Sequence, residues 1–125
     1  PAPRRPLPRA PIPERALAIL LRGDTMLLTN DAVPDLLVAL KEGDENLRWR
    51  AADALGSLGG SAKKAVPALL KSLKEKSWRV RSSSALALGN IGDRSRKVRR
   101  ALKRLLKDRH PDVRDSAKTA LIRLR

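Results

Sequence analysis

Catalysis would have to be assembled from very little in this chain. His110, in "RHPD", is the only histidine, and there is no cysteine. That removes thiol nucleophiles, disulfides and thiolate metal sites. A single imidazole without sulfur ligands does not make a zinc site, so His110 reads as a solvated turn residue. Serines and threonines are present, but none sits in a G-x-S-x-G setting. The segment "LGSLGGSAKK" has the residue types of a phosphate-cradling loop. Its spacing is not that of a P-loop and it follows a helical pattern instead of a strand, so it reads as a helix stop. The chain is expected to be non-catalytic, with no cofactor and no metal.

The chemistry the composition does supply is charge. Lys and Arg number 28 against 13 Asp and Glu, a net +15 over 125 residues. The charge is unevenly spread: residues 31–60 carry three bases and six acids, whereas residues 93–125 carry thirteen and four. No acid interrupts the run from Arg94 to Lys107. On a helix of 100° per residue, Val98, Ala101, Leu102, Leu105 and Leu106 share one side, and Arg96, Arg100, Lys103, Arg104 and Lys107 point the other way. Lys64 and Lys71 fall on the equivalent side of the preceding helix pair. These seven cations are the candidate binding residues, suited to an anionic partner. Trp49 and Trp78 are the only aromatics apart from His110. Each can either pack across a junction between units or serve as a partner hot spot.

Helices must position these side chains. Val33, Leu36, Leu37 and Leu40 follow the i, i+3, i+4, i+7 rule of one apolar stripe, and Val66, Leu69, Leu70 and Leu73 repeat it. A second stripe, Leu47, Ala51, Ala54, Leu55 and Leu58, follows after the short polar link "EGDEN"; "EKSW" and "DRHPD" are the later links. Pro34 and Pro67 fall in first turns, where a missing N–H costs little. Gly59, Gly60 and Gly92 are expected to stop helices. The pattern returns every 33 residues: Leu47, Val80 and Val113; Arg48, Arg81 and Arg114; Ala54, Ala87 and Ala120; Lys41, Lys74 and Lys107. A fixed period of this length marks a repeat protein. The expected helices are 14–22, then pairs at 32–41 and 47–58, 64–75 and 80–90, 96–107 and 112–124. The fold class is therefore all-α, an α-solenoid of about three helix pairs behind an N-terminal half-repeat helix.

The "AVPALL" helix followed by "D..VR..A…AL" resembles the HEAT repeat, in the short form of phycobilisome-lyase-type proteins, over Asp31 to Arg125. Ankyrin repeats would show T-P-L-H, and tetratricopeptide repeats would show aromatic positions absent here. The resemblance implies a structural ladder between stacked units, with Glu42, Glu75 and Asp108 in the inter-helix turns and Arg48, Arg81 and Arg114 in the second helices. Each of these arginines follows its acid by six residues, and the carboxylate pairs are expected within a unit or with the adjacent one. The family includes phycobilin lyases and alkyl-purine DNA glycosylases; Trp49, Asp53 and Trp78 are the residues such a glycosylase role would draw on, and no motif matches either enzyme.

The segment "PAPRRPLPRAPIPER" is too rich in proline for a helix or a central strand and reads as a polyproline-II arm or linker over residues 1–13, with PxxP spacing and flanking arginines. The solenoid domain spans 14–125. Its leading helix, "ERALAILLR", is apolar almost all round, and "ALIRLR" leaves Leu121, Ile122 and Leu124 in an uncapped last helix. Open stack ends of this kind favour self-association. The chain opens on Pro1, as expected of a processed form or part of something longer. Its longest apolar run, Ala16 to Leu21, is far short of the roughly 20 residues of a membrane span, and the lack of cysteine fits a cytoplasmic protein. The expected function is a protein-interaction scaffold with a basic outer face, its partner another protein or an acidic segment. Sequence-independent binding of nucleic acid through phosphates is the alternative.

Overall fold

The computed structural model describes residues 11–125, and every regular element among them is helical. Most of the Pro-rich arm, residues 1–10, lies outside the described residues; of the remainder, Ile12 packs against the core and Pro13 precedes the first helix. The helices are α1 (Glu14–Arg22), α2 (Val33–Glu42), α3 (Glu45–Ser57), α4 (Val66–Ser72), α5 (Trp78–Ile91), α6 (Arg96–Leu105) and α7 (Pro111–Arg123). Three 3₁₀ turns join them: Thr25–Leu27, Asn30–Ala32 and Gly59–Ala65. The seven expected helices are present as a leading helix and three pairs.

The second helix of each pair starts from one recurring device. Asp44, Ser77 and His110, 33 residues apart, each stand at the N-cap and accept a hydrogen bond from a backbone N–H of the first turn. Such a cap satisfies a donor that the helix itself cannot. The first helices α4 and α6 end by tightening. Lys74 and Glu75 donate to Lys71 and Ser72, and Lys107 and Asp108 donate to Arg104 and Leu105, each three residues back. Glu75 and Asp108 are thereby held at the ends of tight turns. At the end of α3, Gly59 alone takes the left-handed conformation (φ 56°), and Gly60 enters the 3₁₀ turn instead of stopping the helix.

The core is built from Leu, Val and Ala. Leu36, Leu69 and Leu102 in the first helices and Leu55 and Leu88 in the second are fully buried. Helix α5 packs along α3 on one side and α7 on the other, and small residues let them approach. A Cβ placed on Gly56 would stand 3.0 Å from the Ala87 Cα, and one on Gly89 only 2.7 Å from the Ala120 Cα. The first helices α2, α4 and α6 make far fewer contacts with one another. Close second helices and separated first helices open the stack on the first-helix side, and this wedge creates the grooves described below.

Both ends keep an apolar residue exposed while polar contacts fasten them. Helix α1 buries Ala16, Ala18, Ile19 and Leu20 and leaves Leu21 56% exposed. Arg15 pairs with Asp35 of α2 at 3.3 Å, and Arg50 of α3 donates to the Leu20 carbonyl, so polar contacts fasten the leading helix as well. At the other end Leu124 is buried, Leu121 half-buried and Ile122 exposed. Arg99 of α6 donates to the Leu124 carbonyl, which holds the last turn down.

One position in the core departs from its column. Ala51 and Ala117 flank Ser84 at the 33-residue interval, all three are fully buried, and the Ser84 hydroxyl finds no hydrogen-bond partner. An unpaired buried hydroxyl is costly, and alanine is the better helix former. Ser84→Ala should raise the unfolding free energy by about 1 kcal/mol, read from urea denaturation. A loss of stability would show that the hydroxyl makes a bond that matters.

Candidate binding groove

The arginine ladder comes first because it fixes how one unit sits on the next. Arg48 in α3 contacts the Glu75 carboxylate at 3.3 Å, and Arg81 in α5 grips Asp108 through Nε and Nη2, both at 3.0 Å. Each arginine therefore takes the acid of the following unit. From its own unit it takes backbone carbonyls: Arg48 donates to Gly43, Arg81 to Glu75 and Lys76, and Arg114 to Asp108. Of the two arrangements expected, within a unit or with the adjacent one, the carboxylate pairs of Arg48 and Arg81 take the second: the turn preceding each arginine offers it carbonyl oxygens, while the acid reaches across from the next pair. Arg114 has no carboxylate within salt-bridge distance among the described residues.

The rungs are unequal. Arg81 and Asp108 are 6% and 10% exposed, against 20% and 32% for Arg48 and Glu75, and the Arg48 Nε is buried without a partner. Burial alone would raise the Asp108 carboxyl. The Arg81 hydrogen bonds, the His110 backbone N–H and the charges of Arg81 and Arg109 outweigh it, and the carboxyl is held below its ordinary value. A depressed folded value means that the rung's stabilisation is complete above the unfolded value of about 4. It is lost as pH falls through the folded value. Unfolding free energy should therefore drop from about pH 5 downward more steeply in the native chain than in Asp108→Asn. Identical profiles would show that Asp108 is not held as the anion.

On the first-helix side, α4 and α6 leave a groove of about 690 Å³. Lys71 and Lys74 line it from the α4 side and Arg96, Lys97, Arg100 and Arg104 from α6; Pro67, Leu70 and Ala101 are its apolar lining, Leu70 and Ala101 half-buried. No acid lines it. A second groove of about 500 Å³ lies between α2 and α4, sharing Pro67 and Lys71 and adding Lys41 and Lys64. Its one acid, Glu75, is the carboxylate engaged by Arg48. Of the seven candidate cations, Lys71, Arg96, Arg100 and Arg104 line the first groove and Lys64 and Lys71 the second. Lys103 and Lys107 are exposed outside both. Lys74 and Lys97 were missed, although Lys74 belongs to the Lys41–Lys74–Lys107 column.

The two tryptophans lie elsewhere, around the starts of the second helices. Trp78 stacks on His110 with ring centroids 4.1 Å apart and planes at 9°. The Arg79 guanidinium lies 5.0 Å from the Trp78 centroid and 6.0 Å from that of Trp49, and Arg50 lies 5.3 Å from Trp49. Trp78 thus packs across the junction between units, and His110 is a half-buried capping and stacking residue, not a solvated turn. Trp49 and Asp53 share a hollow of about 260 Å³ with Leu20 and Leu28, and Trp78 does not line it. Desolvation raises the Asp53 carboxyl, against the lowering pull of a Ser83 hydrogen bond. Trp49, Asp53 and Trp78 do not converge on one pocket, and no cluster of metal-binding side chains forms among the described residues.

Helix pairs stacked at a 33-residue period and tied by arginine–carboxylate rungs define an α-solenoid repeat protein. A family model described as HEAT repeats matches residues 33–122. The chain belongs to the HEAT-repeat family, whose members are generally protein-interaction scaffolds without catalysis of their own. A search of curated proteins finds no match. No helix among the described residues is long and apolar enough to cross a membrane.

Proposed function

We propose that this protein is a non-catalytic binding scaffold that holds an acidic segment of a partner protein on the outer, first-helix face. The observation that carries this reading is the α4–α6 groove, which brings six cations together with no acid among them. Like charges gathered on one surface repel one another, and an anionic partner relieves that cost. The ladder arginines are already engaged within the stack and do not belong to the binding charge. The 33-residue period supports placing the chain with the short repeats of the phycobilisome-lyase type.

Nucleic acid is the second reading, favoured by the net charge of +15. The groove contains no aromatic side chain, so binding of that kind would rest on phosphates, without base stacking, and would weaken steeply with salt. The test compares Arg96→Glu/Arg100→Glu/Arg104→Glu with Lys103→Glu/Lys107→Glu/Lys118→Glu, which changes net charge equally outside the groove. Fluorescence anisotropy with a glutamate-rich peptide should show at least a tenfold loss for the first variant and a much smaller loss for the second. Equal losses would mean that only bulk charge matters. A single-stranded oligonucleotide bound more tightly than a peptide of equal charge would favour the second reading.

A further inference from the structure

We infer that the α4–α6 groove is a seat for an acidic amphipathic α-helix of about three turns; this inference rests on the scaffold reading above and names the form of its partner. The walls and the floor of the groove ask for different chemistry. Pro67, Leu70 and Ala101 give the groove an apolar lining beside its six cations, which we take as its floor, and apolar surface left open to water gains by being covered. A phosphate backbone brings charge to the walls but nothing apolar to the floor. An extended acidic chain brings charge as well, but its side chains alternate between two faces. A helix with an apolar stripe flanked by carboxylates on both sides satisfies floor and walls together.

The spacing of the α6 wall agrees. Arg96, Arg100 and Arg104 recur every four residues along a ten-residue helix. At 1.5 Å per residue they form a row with steps of about 6 Å, and α6 is about 15 Å long. Glutamates at i, i+4 and i+8 of a second helix have the same step, so each guanidinium meets one carboxylate in the forked geometry that arginine favours. Lys71 and Lys74 face the opposite flank of the same helix. The neighbouring α2–α4 groove has fewer cations, and its one acid is tied to Arg48, so it is the poorer seat.

Two peptides of identical composition test this. One places leucines in an i, i+3, i+4, i+7 stripe flanked by glutamates; the other disperses the leucines so that no stripe forms. The native protein should bind the striped peptide at least tenfold more tightly, with a gain of helical circular dichroism on mixing. Ala101→Trp, which fills the groove without changing charge, should cut striped-peptide binding at least tenfold, its own fold checked by thermal melting. Equal affinity of the native protein for the two peptides would overturn the helix seat whether or not Ala101→Trp folds, and leave the basic groove standing. Striped-peptide binding unaffected by Arg96→Glu/Arg100→Glu/Arg104→Glu would overturn both the seat and the reading beneath it.

Discussion

Arg81→Ala is expected to lower the unfolding free energy by about 3 kcal/mol, the usual cost of removing one partner from a buried ion pair. The guanidinium is 6% exposed, makes two bonds to Asp108 and donates to the carbonyls of Glu75 and Lys76. Deleting it leaves a buried carboxylate with only the His110 N–H for a donor, and two carbonyls without theirs, at the junction where the third pair sits on the second. Arg81→Lys should recover only part of the loss, because an ammonium cannot supply the fork to Asp108 while reaching both carbonyls. Arg48→Ala, at the more exposed rung, should cost about 1 kcal/mol, and Arg104→Ala, exposed in the groove wall, less than about 0.5 kcal/mol. Urea denaturation of the four variants measures this order. An Arg81→Ala variant as stable as Arg104→Ala would remove the ladder as a source of stability.

Gly89→Ala should destabilise by about 2 kcal/mol, although alanine is favoured over glycine inside a helix by up to about 1 kcal/mol. The added Cβ would stand 2.7 Å from the Ala120 Cα and 2.9 Å from its Cβ. Backbone cannot swing aside as a side chain can, so α5 and α7 must separate, at the cost typical of overpacking. Gly60→Ala, whose new Cβ would find its nearest neighbour at 4.0 Å, is the control and should be close to neutral. Stabilisation by Gly89→Ala would show that the two helices have room to spare. The same column explains a difference at the end of the stack. Ile122 follows Gly89 by 33 residues and is exposed, so the far side of α7 is not shaped like the faces of α3 and α5 that receive the next unit.

Much of this molecule was legible from residue types and intervals alone. The 33-residue period, the two apolar stripes and the proline-led first turns specify three helix pairs, because an apolar stripe can be buried only against a neighbour and each pair supplies the same neighbour. Composition alone removed thiol nucleophiles and thiolate metal sites, since the chain has no cysteine. Arg96, Arg100, Lys103 and Arg104 could be assigned to the side of their helix away from Val98, Leu102 and Leu105, because azimuth on a single helix depends only on sequence spacing. The caps were also within reach: Asp44, Ser77 and His110 share a column, and all three can accept a hydrogen bond at a helix start.

What a single helix cannot contain is the position of the next one, and the remaining decisions were made there. The interval of six left the rungs open between a pair within one unit and a pair with the adjacent one; the Arg81 guanidinium bridges forward to Asp108, 27 residues on, because stacking brings that acid to it. Lys103 and Lys107 lie on the exposed side of the α6 segment yet miss the groove, whereas Lys97 lines it. The wall is defined by where α4 stands, not by the helical wheel of α6. That placement follows from the second helices: Gly56 and Gly89 admit Ala87 and Ala120 at backbone contact, the second helices close up, and the first helices part. Residue spacing put the charges on a surface, and the unequal separation of the two helix rows turned that surface into a groove.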